Sequence, residues 1–163
     1  MPLCNTRTMT TQIKQISSGE AKARAFAIRI RVFVHEQNVP ADIELDRDDQ
    51  RALHFLATAN GRAVGTARVV MRGNGAKIGR MAVLKSYRRK GIGTALLERA
   101  IAAAKRRHAR KIYLHAQVPV VGFYEKLGFR CVGPMFDEAG IAHRKMILKG
   151  DRQQQGTVRK MRI

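Results

Sequence analysis

The chain has 163 residues, 45% of them hydrophobic, which is enough for one domain with a real core. No apolar run approaches the ~18 residues of a membrane span, and the polar start MPLCNTRTMTTQ has no secretory h-region, so a cytoplasmic protein without a membrane anchor is expected. Cys4 and Cys131 match no metal or redox spacing, so reduced thiols and no metal site are expected.

The net charge of +20 favours an acidic partner, and its distribution says more than its sum. Ten Lys or Arg fall between residues 85 and 111 against the single acid Glu98. Six of the twelve acids crowd into residues 36 to 49: Glu36, Asp42, Glu44, Asp46, Asp48 and Asp49. That separation suits a site where an anionic ligand meets a cationic one, although charge runs are often only solvated faces.

In chain order, TQIKQI (11–16) reads as a first strand. Ser17 and Glu20 form an S-x-x-E capping box, so a helix is expected to start there and turn Ala21, Ala25, Phe26 and Ile28 inward. From Ile28 to Val34 the alternation with Arg29 and Arg31 fits helix or strand, and only length and the preceding cap favour helix. Pro40 marks a break, and DIELDRDD reads as loop. ALHFLATA (52–59) and AVGTARVVM (63–71) flank Asn60-Gly61, a strong hairpin dipeptide, and Asn74-Gly75 repeats the signal before AKIGRMAVL. An antiparallel three-strand meander follows.

It leads into KSYRRKGIG and then a helix whose apolar face is Ile92, Leu96, Leu97, Ala100, Ile101 and Ala104. Gly91 and Gly93 at a helix start, beside Arg88, Arg89 and Lys90, make a pyrophosphate-holding turn: unpaired N–H groups and the positive dipole end face an anion, and no Cβ blocks its approach. A basic surface turn before an ordinary helix is the competing reading, because a lone GxG is weak. A Walker loop is excluded by the lack of any Gly-Lys pair. A dinucleotide fingerprint is opposed by Leu96 at its third glycine and by His115 and Gln117 where an acid should follow the next strand. KIYLHA (111–116) can lie parallel to the last meander strand, since a whole helix separates them. A short helix from Pro119 to Lys126 stops at the C-cap Gly128, and FRCV and IAHRKMIL add two strands.

These residues resemble the GNAT superfamily of acyl-CoA-dependent N-acyltransferases. The likeness rests on MAVLKSYRRKGIG, which matches an R/Q-x-x-G-x-G/A signature at Arg88 to Gly93, on GFYEKLGF (122–129), and on the strand order, and it covers roughly residues 11–148. The stretch VFVHEQNVPADIELDRDD (32–49) further resembles a bacterial subgroup with a VFVxEQxVP signature. The resemblance implies an α/β fold with a mixed central sheet, an antiparallel β2-β3-β4 meander, a splayed parallel β4/β5 pair and about four helices. Residues 1–10 would then be a flexible start and 149–163 a basic, disordered tail.

The resemblance further implies an N-acetyltransferase using acetyl-CoA, without a metal, on a primary amine. Met81, Ala82 and Val83 would hold the pantetheine arm, and Arg88, Arg89, Lys90, Gly91, Ile92, Gly93 and Thr94 the pyrophosphate. Tyr124 would be the general acid, against a bland reading as a core aromatic beside Phe123 and Phe129. An amine with pKa ~10.4 is neutral in only roughly one molecule in 2,500 at pH 7, so attack needs a base. Some members place a glutamate four residues before the position of Met81; here that position is Lys77, a departure. Glu44, Asp46 and Glu36 are the base candidates in that order, with His54 and His115 as further options. Glu36, Gln37, Asp46 and His54 are the substrate candidates, and the acidic stretch points to a cationic acceptor, an amine, polyamine or Lys-bearing peptide. Rival expectations are a basic nucleic-acid-binding protein and a silent acyl-CoA sensor; ribosome association and a homodimer are compatible with all of these.

Overall fold

The computed structural model describes residues 8–150; Cys4 and most of the basic tail lie outside them. One seven-stranded sheet, in the order β1-β2-β3-β4-β5-β7-β6, runs through the molecule. Its strands are β1 Thr11–Ile16, β2 Leu53–Ala59, β3 Arg62–Arg72, β4 Gly75–Val83, β5 Lys111–Gln117, β6 Phe129–Glu138 and β7 Ile141–Leu148. Four α-helices accompany them among the described residues: α1 Gly19–Arg29, α2 Ala41–Glu44, α3 Ile92–Arg106 and α4 Val121–Lys126. Every pairing is antiparallel except β4 with β5; the β2-β3-β4 meander and the parallel β4/β5 pair are those expected from the sequence.

Local chemistry explains most boundaries. The α1 cap sits one residue later than the capping-box reading placed it: the Ser18 hydroxyl, not that of Ser17, accepts the Ala21 N–H at 3.1 Å. The ambiguous stretch after Ile28 is helical, but it widens to a π-helix over Ile30–Glu36, a form frequent at functional sites. DIELDRDD is not simply loop, since it holds α2 and a 3₁₀ turn at Arg47–Gln50. Asn60 and Gly61 both take positive φ, as a two-residue hairpin turn of the primed class requires. In the second hairpin the turn pair is Gly73-Asn74 rather than Asn74-Gly75. Only Gly73 has the positive φ there, and Gly75 already pairs with Arg72.

The sheet alternates its faces with the period of two. Phe55 and Ala57 join the core under α3 with Leu96, Leu97 and Ala100, while Leu56 between them packs on the other face with Ala25, Ile28 and Val32. Within α3 it is Ala103, rather than Ile101, that is fully buried. Met9 packs against the larger core cluster, and Thr10 exchanges hydrogen bonds with Asn60, so the chain is already held before β1.

Two irregularities position the site. β4 pairs with β5 only from Gly75↔Lys111 to Ile78↔Leu114, after which the strands part. There β4 carries a bulge: Thr66 faces Ala82 but Arg68 faces Gly79, and Arg80 takes a φ of 50°. Ala82 and Val83 therefore keep β3 on one edge, Met81 lies in the bulge, and none of the three has a β5 partner on the other edge. β5 continues instead along β7, from Tyr113↔Ile147 to Gln117↔His143.

Candidate active site

The parting of β4 and β5 opens a cavity of about 770 Å³. One wall is the bared β4 edge with the start of α3, from Arg88 to Thr94; the opposite wall is β5, α4 and the β6–β7 hairpin. The π-helix, the segment after it and α2 close a third side with Val32, Phe33, Gln37, Val39, Ile43 and Glu44.

At the α3 start, Gly91 caps the helix with a φ of 81° and Arg89 before it has a φ of 60°. With Lys90 between them outside the left-handed region, the alternating backbone presents N–H groups to one concavity, which with the helix dipole attracts an anion. A Cβ added at Gly91 would meet nothing within 4 Å, so the glycine is there for its backbone conformation. At Gly93 the added Cβ would lie 3.5 Å from Phe123. Arg88, though exposed, has its guanidinium engaged: its Nε donates to the Val83 carbonyl at 2.8 Å and its Nη2 to Glu36 at 2.8 Å. Met81, Ala82, Val83, Arg88, Arg89, Gly91, Gly93 and Thr94 line the cavity. Lys90 and Ile92 do not; Lys90 stands over the Tyr87 ring, and Ile92 is a core residue.

Tyr124 enters from α4, 9% exposed, edge-on to Phe123 and Phe129 at 5.0 and 6.0 Å. Burial pushes its phenol up to about 12, so at neutral pH it is a proton donor only. It is at once a cavity-lining group and a neighbour of core aromatics.

The acidic stretch is locked into arginines. Arg29, 1% exposed, donates Nε to Glu44 Oε1 at 2.8 Å and reaches Asp49 at 2.7 Å. Arg68 holds Asp46 through both guanidinium nitrogens at 2.6 and 2.9 Å, and also Asp49 at 2.8 Å. Arg80 bridges Glu44 and Asp46, and Arg51 and Arg72 hold Asp48. Burial keeps the Glu44 carboxyl above the usual range despite Arg80 and Arg29. Burial likewise opposes ionisation of Asp46, but Arg68 and Arg80 outweigh it and the carboxyl is lowered.

The sequence candidates therefore separate. Glu44 and Gln37 line the cavity; Glu44 must disengage two arginines to act as a base, and Gln37 exchanges amide hydrogen bonds with Gln117. Asp46 and Glu36 are not in its lining. Nor is His54, which is 1% exposed, with Nε2 2.9 Å from the Asp49 carbonyl and its ring edge-on to Phe26. Among the described residues no group of three His, Cys, Asp or Glu has a metal-binding arrangement, and no helix is long and apolar enough to cross a membrane.

Residues 14–149 match the sequence model of the acetyltransferase (GNAT) domain. The chain belongs to the GNAT family. YjcF of Bacillus subtilis strain 168, described as an uncharacterized N-acetyltransferase, is 37% identical over 124 residues, 76% of this chain and 89% of its own. An acyl-CoA N-acyltransferase from Pseudomonas aeruginosa superposes with a TM-score of 0.75 at 27% identity, covering 87% of this chain and 100% of that one. ElaA of Escherichia coli gives 0.75 at 26% identity, covering 86% and 99%.

In this GNAT chain the cavity also gathers side chains that the sequence reading did not bring together: Lys77, His115, Glu138 and His143. Glu138 lies 3.4 Å from His115 Nδ1 and 3.7 Å from His143 Nε2. The Phe136 ring stands edge-on to His115 at 4.9 Å and stacks on His143 at 5.9 Å. Lys77 and His115 had drawn notice singly. Glu138 and His143 had not, and the only available signal was the turn signature Asp-Glu-Ala-Gly before an alternating strand that carries a histidine.

Proposed function

We propose that this chain is an acetyl-CoA-dependent N-acetyltransferase, moving the acetyl group to a primary amine by direct attack in a ternary complex. The observation that carries the reading is a convergence in one cavity: the unpaired β4 edge at 81–83, the left-handed turn Arg89 to Gly91 at the start of α3, and the protonated Tyr124.

The chemistry divides among these parts. The coenzyme supplies an activated acyl carbonyl and a thiolate leaving group. The β4 edge lends peptide groups to an extended amide-bearing arm and an N–H to the carbonyl oxygen as it becomes anionic; one such donor is worth about 3 kcal/mol of barrier. Arg89 and the N–H groups at the α3 start face a pyrophosphate. The Tyr124 phenol protonates the departing sulfur. Glu44, tied to Arg29 and Arg80, keeps the α2 wall in place.

Calorimetric titration with acetyl-CoA, followed by thiol release in the presence of amines, tests the reading. Saturable one-to-one binding and amine-dependent thiol release are expected. Tyr124→Phe should keep the coenzyme affinity and lower turnover about 100-fold. Absence of coenzyme binding defeats the reading, and unchanged turnover in Tyr124→Phe removes that residue as the acid.

A further inference from the structure

Glu138 differs from the carboxylates of the acidic stretch in its partners. Among the described residues no arginine holds it; it closes β6 at the mouth of the cavity beside the tight turn Ala139-Gly140, whose residues have φ of 53° and 78°. His115 holds Glu138 well below the usual carboxylate range, at about 2, by a hydrogen bond that outweighs burial, with the charges of Lys77, His115 and His143 adding to it. A carboxylate only accepts, so His115 Nδ1 donates to Oε1 and Oε2 is left toward His143.

The tautomer of His143 follows in the same way. Its Nδ1 lies 2.7 Å from the Ile141 carbonyl, which also only accepts, so Nδ1 carries the hydrogen. In the neutral ring Nε2 is therefore a lone pair. That lone pair stands 3.7 Å from Glu138 Oε2: two acceptors with no hydrogen between them, spaced to share a donor. Lys77 lines the same cavity, half-buried, with no carboxylate at ion-pair distance among the described residues. Burial weakens its protonated form, Glu138 offsets only part of that from beyond ion-pair distance, and an anion alongside would restore more. Arg80 and Arg88, the neighbouring cations, already hold Glu44, Asp46 and Glu36.

We propose that the end of the cavity between β4 and the β6–β7 hairpin is the acceptor subsite for an amine that carries a carboxylate, as an α-amino acid does, with Glu138 and His143 taking the amine and Lys77 the carboxylate. The proposal rests on the acyltransfer reading above.

An acceptor arriving as an ammonium donates one N–H to Glu138 Oε2 and one to His143 Nε2. His143 takes that second proton and becomes an imidazolium beside Glu138. The freed nitrogen lone pair forms the C–N bond at the thioester carbonyl, and the C–S bond breaks with its electron pair on sulfur. Tyr124 passes its proton to that sulfur and recovers one from the nitrogen as the amide forms; His143 releases its own to water. One ammonium and one thioester thus give one amide, one thiol and one proton.

The test compares amino acids with their decarboxylated counterparts, phenylalanine with phenethylamine and methionine with 3-(methylthio)propylamine, by thiol release at saturating acetyl-CoA. The amino acid of each pair should have the higher kcat/KM by at least about tenfold. Lys77→Met should erase that preference by raising the amino-acid KM about tenfold while leaving the amine KM unchanged. Glu138→Gln should raise both KM values, and His143→Gln should lower kcat, with the acetyl-CoA affinity of all three variants unaltered. In the unsubstituted protein with coenzyme A bound, long-range ¹⁵N–¹H spectra should show the His143 ring protonated at Nδ1, and its Nε2 signal should move when phenylalanine is added. Preference for the decarboxylated amines, acetylation of neither set, unchanged KM in Glu138→Gln, or a static His143 signal with an acceptor that is turned over would each overturn the proposal while coenzyme binding left the acyltransfer reading standing. Loss of coenzyme binding in the unsubstituted protein would remove both.

Discussion

Two charge clusters border the same cavity and differ in how completely they are satisfied. Around α2, Glu44, Asp46, Asp48 and Asp49 meet Arg29, Arg51, Arg68, Arg72 and Arg80, and each carboxylate has at least one guanidinium within 3.2 Å. At the β6–β7 hairpin, Glu138 has two imidazoles and no guanidinium at ion-pair distance, and Lys77 has no ion-pair partner, among the described residues. The first cluster is the denser in charge and the more conspicuous in sequence, yet its groups are already bonded to each other. A ligand gains little from groups that must first be prised apart. The sparse cluster, with two acceptors facing one gap and a cation awaiting an anion, is the one with bonds left to make.

If that contrast is right, the largest effect on stability belongs to the first cluster. Arg29→Leu leaves Glu44 and Asp49 without their buried partner, which should cost about 3–5 kcal/mol in chemical denaturation. A loss below about 1 kcal/mol would mean that Arg80 and Arg68 can satisfy the network alone. Next in size is its response to acid. Arg29 and Arg68 hold Asp49 down to about 2 against the burial that opposes its ionisation. A depressed carboxylate contributes stability in full above its ordinary value of 3.8, and that contribution is lost as pH falls toward about 2. Stability should therefore drop between about pH 4 and pH 2, and Asp49→Asn should flatten that part of the profile. Glu138 titrates over the same range. By the same linkage Glu138→Gln should also flatten the profile, and a profile unchanged in both variants would mean that neither carboxylate is held down as described.

The same contrast explains what could be read from the sequence. The meander, the glycine turn and the parallel return of β5 were legible because each is local: Asn60-Gly61 sets a hairpin, and a helix between two strands permits a parallel pair. The cavity wall formed by 81–83 and by Arg88, Arg89, Gly91, Gly93 and Thr94 was legible for the same reason, since these residues are close in sequence. The acidic stretch was visible as charge but not as a network, because Arg29, Arg68 and Arg80 approach it from three separate elements. Glu138 and His143 were invisible for a stricter reason. They meet His115 only because β7 inserts between β5 and β6, and nothing local in FRCV or IAHRKMIL dictates that order.

The smallest expected effect on stability bears most directly on the comparison. Lys77 is half-buried on β4 and lacks a salt bridge among the described residues, and burial already lowers its pKa, so its charge is a modest liability to the folded state. Lys77→Met keeps the unbranched stem and removes that charge, so denaturation should show a change within about 0.5 kcal/mol, zero or stabilising. Its charge helps hold Glu138 ionised but is repelled by Arg80, Arg68 and Arg72, and the His115 hydrogen bond, the larger cause of the Glu138 shift, remains in the variant. A loss above about 1 kcal/mol would place Lys77 with the arginines, as a group the fold requires. A neutral result would leave a charged residue in the cavity wall with no structural task, and so one free to meet a ligand.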